Sequence, residues 1–95
     1  MCSDTQWAEE LRKGVVFKIV PMVNPDGVVI GNYRTSLSGK DLNREFVRPD
    51  EDIFPEVYHL KKCIYKHCEI WKKDFLLYLD FHGHSTKKNC FTYGP

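Results

Sequence analysis

DFLLYLDFHGHS, residues Asp74–Ser85, decides how this chain is read. From Phe75 to Phe81 the run is apolar and aromatic, broken only by Asp80. It lacks a clean alternation, which is the pattern of a parallel strand buried on both faces. His82, Gly83, His84 and Ser85 follow at once. Ring nitrogens delivered at the C-terminal end of such a strand stand where open α/β sheets bind their ligands.

Upstream of this strand, Val57, Leu60, Ile64, Cys68 and Trp71 recur at steps of three and four and form one apolar helix face. Lys61, Lys62, Lys66, Glu69 and Lys73 fall mostly outside it. Pro55 suits the first helical position, where its missing N–H would be unpaired anyway, and Glu56 complements the positive end of the helix dipole. The pattern predicts a helix from about Pro55 to about Lys72. Earlier, VVFKIVPM (Val15–Met22) is β-branched and apolar between Gly14 and the turn signal NPDG at Asn24–Gly27, and it predicts a strand. Trp7–Lys13 predicts the end of a helix, with basic residues in its last turn and Gly14 in the left-handed stop position.

Asn24 to Phe54 is a long connection. Val28–Ile30 reads as a short strand, and Gly31, Ser36, Ser38 and Gly39 argue against regular structure after it. Connections longer than about 12–15 residues in compact domains are usually functional or disordered. This one carries Asn32, Tyr33, Arg34, Asn43, Arg44 and Arg48, all able to grip a ligand. Cys90–Tyr93 predicts a last short strand. The order strand, loop, helix, strand is a βαβ unit with parallel main strands and a right-handed crossover. The expected fold class is therefore α/β, with Asn24 and His82 leaving strand ends into one crevice.

With 95 residues, the chain is one domain or part of one. A hydrophobic content of 42% excludes disorder by composition. A formal net charge of +1 gives no electrostatic case for nucleic acid or an anionic membrane, and the pairs Lys61–Lys62, Lys72–Lys73 and Lys87–Lys88 read as solvated faces. Residues 1–14 are polar and charged and lack the apolar centre of a secretory leader. No stretch approaches the ~18 apolar residues of a membrane span. Cys2, Cys63, Cys68 and Cys90 are therefore expected to be reduced, in a cytoplasmic protein.

Three constellations could carry chemistry. His82 is a metal ligand or general base on one reading, and a ring bonded to a nearby carbonyl on the other. His84 is its neighbour rather than a chelating partner, because Gly83 breaks the strand between them. Arg34, Asn43 and Arg44 could grip a carboxylate through charge-assisted hydrogen bonds, or could hold the loop to its own scaffold. His59, Cys63 and His67 line up at i, i+4 and i+8 with zinc-compatible groups, yet no second pair with metal spacing completes them. The amphipathic helix explains them better.

FKIVPMVNPDGVVIGNYR (Phe17–Arg34), SLSGKDLNR (Ser36–Arg44) and DFHGHSTKKNCFTYG (Asp80–Gly94) together resemble the zinc metallocarboxypeptidases, in particular their cytosolic branch, the deglutamylases that trim glutamates from tubulin and other proteins. The resemblance runs from Val15 to Gly94. It implies an α/β/α sandwich on a mixed, largely parallel sheet. His82 would be the third zinc ligand. Asn43 and Arg44 would hold the substrate's terminal carboxylate. Arg34 would polarise the scissile carbonyl and stabilise the developing oxyanion. In the family, zinc activates the attacking water and a glutamate is the general base. The implied partners are C-terminal or side-chain polyglutamate tails of proteins such as tubulin.

The sequence also departs from the family pattern. A His-x-x-Glu motif, the family's source of two zinc ligands, does not occur before Asn24; the histidines are His59, His67, His82 and His84. The general-base glutamate belongs to a segment well beyond Tyr93–Gly94. One histidine does not make a catalytic zinc site. Residues 1–95 are thus expected to be a partial catalytic domain, inactive by itself. The alternatives are a binding module for acidic protein tails and a decayed product without a ligand.

Overall fold

Asn24 and Pro25 start a short helix in the first half of the chain. The computed structural model describes residues 2–70 and 74–94. The Asn24 side chain accepts a hydrogen bond from the Gly27 N–H (3.0 Å), and Pro25 occupies the first helical position of α2 (Pro25–Ile30). Asparagine as N-cap followed by proline is a strong helix start. Gly31, at φ 84°, supplies the left-handed stop. Two readings are corrected by this element. NPDG caps a helix rather than closing a turn, and Val28–Ile30 is helical rather than a strand. The β-branched residues are overridden by a cap at one end and a glycine at the other.

Ahead of it, α1 (Gln6–Gly14) covers the predicted helix, with Lys13 paired to Glu9 at 2.8 Å; Gly14, however, is its last helical residue rather than a left-handed stop, and Val15, in extended backbone at φ −133°, caps it. Asp50 prepares α3 (Pro55–Tyr65): its Oδ1 accepts from the N–H groups of Asp52 and Ile53, and its carbonyl accepts from Phe54. Residues Lys66–Ile70 continue α3 as a wider π-helical turn. Trp71 and Lys72, the end of the predicted helix, lie outside the described residues. The predicted apolar face is visible in the burial pattern. Val57 is fully buried and Leu60, Ile64 and Cys68 are half-buried, while Lys61, Lys62, Lys66 and Glu69 are exposed.

The chain divides into two compact units, Met1–Cys63 and Ile64–Pro95. The core of the first consists of Leu42, Phe54 and Val57, with Val23 and Phe46 packed against them. Lys61 ties α3 to the loop by donating to the carbonyls of Phe46 and Val47, each at 2.7 Å. These contacts explain why the long connection is ordered: Leu42, in its middle, is 5% exposed.

Among the described residues, neither 15–22 nor 75–81 belongs to a β-ladder, and neither does Cys90–Tyr93; Thr35 and Asp41 form an isolated antiparallel bridge. Residues 75–81 are exposed throughout, with Leu76 at 73% and Phe81 at 92%. A strand buried on both faces needs neighbours on both edges, and an unpaired apolar run shows its whole surface. No helix among the described residues is long and apolar enough to cross a membrane.

Gly27 is a tight point in the first unit. A Cβ there would come within 2.9 Å of the Asn32 carbonyl oxygen and would also strike the Asn24 side chain. Alanine in place of a helical glycine normally gains up to about 1 kcal/mol. Overpacking against backbone costs about 1–3 kcal/mol and should win. Gly27→Ala is therefore expected to lower the melting temperature and loosen the Asn24 cap. A rise in melting temperature would show that the backbone can give way.

Candidate functional site

Arg34, Asn43 and Arg44 lie in one loop, and side-chain hydrogen bonds build that loop from both ends. Asn24 reaches from the start of α2 and donates through Nδ2 to the Thr35 carbonyl at 3.1 Å. Asn32 accepts at Oδ1 from the N–H groups of Arg34 (2.9 Å) and Thr35 (3.0 Å), and donates to the Thr35 hydroxyl at 2.7 Å. An Asx turn of this kind fixes the backbone that carries Arg34. From Thr35 to Asp41 the chain forms a tight hairpin, with Ser36 N–H on the Lys40 carbonyl and Gly39 N–H on the Ser36 carbonyl. Gly39, at φ 72°, permits the reversal. No helix or strand runs through residues 32–41, as expected, and Gly39 and the serines there serve a defined turn.

Asp41 then starts a 3-10 turn, Leu42–Arg44, by accepting the Asn43 N–H at Oδ1 (3.0 Å). Its other oxygen, Oδ2, pairs with Arg34 Nη1 at 3.0 Å. Leu42 is anchored in the core beside Phe54 and Val57, and this sets where Asn43 and Arg44 emerge on the surface. Arg44 Nη1 donates to the Asn43 carbonyl at 3.4 Å. The first unit therefore brings Arg34, Asn43 and Arg44 together around Asp41, to which the sequence reading assigned no role. The signal was present in DLNR, where aspartate two residues before an asparagine N–H is an N-cap arrangement.

The hydrogen bond from Arg34 holds the Asp41 carboxyl below the usual aspartate range; burial opposes it, and the Asn43 N–H and the charges of Arg44 and Arg34 add to the lowering. The Arg34 guanidinium is raised in turn, first by Asp41 and then by Tyr33. The sign for stability follows. A depressed carboxyl contributes fully above its unfolded value and loses that contribution as pH falls through its folded value. The loop should hold until the pH drops below the ordinary aspartate range. In an acid titration followed by NMR, Asp41 should protonate late, with the Asn43 amide shifting alongside it. A normal or raised midpoint would contradict the pairing.

His82 belongs to the second unit. Its Nδ1 is 2.7 Å from the Gly83 carbonyl, which can only accept, so Nδ1–H is the donor. A backbone carbonyl behind the ring is the usual support of a histidine metal ligand. His84 has a different task. Its Nδ1 accepts from the N–H groups of Thr86 (3.2 Å) and Lys87 (3.0 Å), and its ring meets Phe91 edge-on at 5.3 Å. Lys87 lies over the rings of Phe91 and Tyr93, at 4.9 and 4.5 Å. This turn, which composition did not reveal, keeps His84 apart from metal chemistry. Among the described residues no three histidine, cysteine or carboxylate groups gather as a metal site, the His59, Cys63 and His67 line included. The described residues therefore do not by themselves assemble a catalytic zinc site.

The zinc carboxypeptidase family model matches residues 1–94. Cytosolic carboxypeptidase 1 of Xenopus laevis is 52% identical over 87 residues, 92% of this chain and 7% of the relative. Its human counterpart is 49% identical over 94 residues, 99% of this chain and 8% of the relative. Cytosolic carboxypeptidase 2 of Xenopus tropicalis is 48% identical over 92 residues, 97% of this chain and 9% of the relative. No solved structure matches. The chain thus spans less than a tenth of the length of these relatives. With the family model matched over residues 1–94 and about half identity to these relatives over nearly its whole length, this chain belongs to the zinc carboxypeptidase family.

Proposed function

We propose that this chain is the carboxylate-recognition part of a zinc-dependent carboxypeptidase catalytic domain, one that removes glutamate from C-terminal or side-chain tails of proteins such as tubulin in the cytoplasm. The observation that carries this is the single loop in which Asp41 gathers Arg34, Asn43 and Arg44. In this reading Asn43 and Arg44 bind the terminal carboxylate and Arg34 donates to the carbonyl of the last peptide bond. His82 supplies one metal ligand, and the domain is an α/β/α sandwich whose sheet would take up residues 15–22 and 75–81. Their exposed apolar side chains support that placement. The chain by itself has no hydrolytic activity, because it offers one such ligand and no base.

The self-contained loop also favours a second reading, a binding module for acidic tails. Both readings require the loop to prefer a free carboxylate. Titrated with N-acetyl-triglutamate and its C-terminal amide, the chain should favour the acid, with amide shifts centred on Asn43 and Arg44. Arg44→Ala should lower affinity for the acid by about tenfold or more, as expected for a charged hydrogen bond to a carboxylate, and leave the amide unchanged. Equal affinities for acid and amide in the wild type would end both readings. Exchange of the corresponding segment of the human relative for this chain separates them: retained hydrolysis supports the enzyme, and binding without hydrolysis supports the module.

A further inference from the structure

We propose that Asp41 is the positioning residue of the carboxylate-recognition loop. This rests on the reading above, in which Arg34, Asn43 and Arg44 touch the substrate. Each of the three is held by a different atom of Asp41. Oδ2 pairs with Arg34 Nη1 at 3.0 Å, Oδ1 accepts the Asn43 N–H at 3.0 Å, and the backbone carbonyl accepts the Arg44 N–H at 2.9 Å. Asp41 is also fixed, since its backbone closes the bridge to Thr35 and the neighbouring Leu42 is in the core.

The chemistry requires a carboxylate at this position. Two acceptor oxygens serve two donors at once, whereas an amide has one acceptor and must release one partner. A longer glutamate would move both oxygens away from the turn. The Asp41 side chain is 23% exposed and that of Arg34 is 58% exposed, so the carboxylate sits beneath the guanidinium. A guanidinium has five N–H donors, and engagement through Nη1 leaves others for a ligand. Asp41 thus aims Arg34 without occupying it.

The test uses the full 95-residue chain as wild type, Asp41→Asn, Arg34→Ala and the double variant. Asparagine is a good N-cap, so Asp41→Asn should keep the turn and release Arg34. The Arg34 Nε–H order parameter should fall below about 0.6, into the flexible range. Affinity for N-acetyl-triglutamate should fall about threefold, the scale of an exposed charge pair. In the Arg34→Ala background, Asp41→Asn should add nothing. An unchanged Arg34 order parameter, or an equal loss in the Arg34→Ala background, would overturn the proposal. If Asp41→Asn does not fold, acid titration of the wild type decides: Arg34 must loosen as Asp41 protonates, and an Arg34 that stays rigid refutes the role. A wild type that binds acid and amide equally removes the functional reading, while the Arg34 order parameter still decides whether Asp41 positions it.

Discussion

Phe54→Ala is expected to abolish cooperative unfolding of the Met1–Cys63 unit. Phe54 is 8% exposed and lies between the loop's Leu42 and Val57 of α3. Truncating a buried phenylalanine to alanine costs about 3–5 kcal/mol, from lost burial and the cavity left behind. A single small core below about 70–80 residues rarely supplies more than about 3–5 kcal/mol. The two figures are equal, so the variant should have almost no folding free energy left. Its thermal transition should disappear, and its amide spectrum should collapse toward random-coil values from Asn24 to Lys61. Phe54→Leu keeps most of the apolar volume and should retain the transition at a lower midpoint. A sharp melt in Phe54→Ala near the wild-type temperature would mean that the core lies elsewhere. Site and core are joined here, because Leu42 is both a core residue and the first residue of the turn that carries Asn43 and Arg44. Loss of the core should also remove the preference for a free carboxylate.

Helical and capping features were legible in the sequence because they are local. Arg12 and Lys13 in the last turn of α1, Pro55 starting α3 and the three-and-four spacing from Val57 to Cys68 each act within a few residues. Val28–Ile30 was misread because β propensity depends on surroundings, while Asn24, Pro25 and Gly31 settle the helix from its ends. Strand pairing is not local. Residues 15–22 and 75–81 have the composition of buried strands, but composition does not provide the neighbours that would bury them. The site divides in the same way. Arg34, Asn43 and Arg44 stand out as residue types, whereas Asp41 is recognised only once its two oxygens are seen serving Arg34 and Asn43. The bland reading of the loop, as residues holding their own scaffold, also describes part of what Arg34 does. The two readings are compatible, because an arginine that is to meet a ligand in one fixed pose must first be held in it.

Arg34→Ala should have the largest effect on catalysis, measured after this chain replaces the corresponding segment of human cytosolic carboxypeptidase 1. The proposed task of Arg34 is to donate to the carbonyl oxygen of the bond being broken, where negative charge grows only as the reaction proceeds. Removing one donor of this kind typically lowers kcat by about 10²–10³, with a much smaller effect on KM. The proposed task of Arg44 differs, because it would meet a carboxylate that is charged before, during and after the reaction. Uniform binding of that sort appears in KM. Arg34→Lys keeps the charge but loses the planar fork and the fit to Asp41 Oδ2, so it should recover only part of the lost rate. If Arg34→Ala raised KM and left kcat intact, Arg34 would be a second carboxylate binder rather than a transition-state group. An exchange protein that folds but does not hydrolyse a glutamate-ended peptide, even with Arg34 present, would remove the enzyme reading and leave the loop as a binding element for acidic tails.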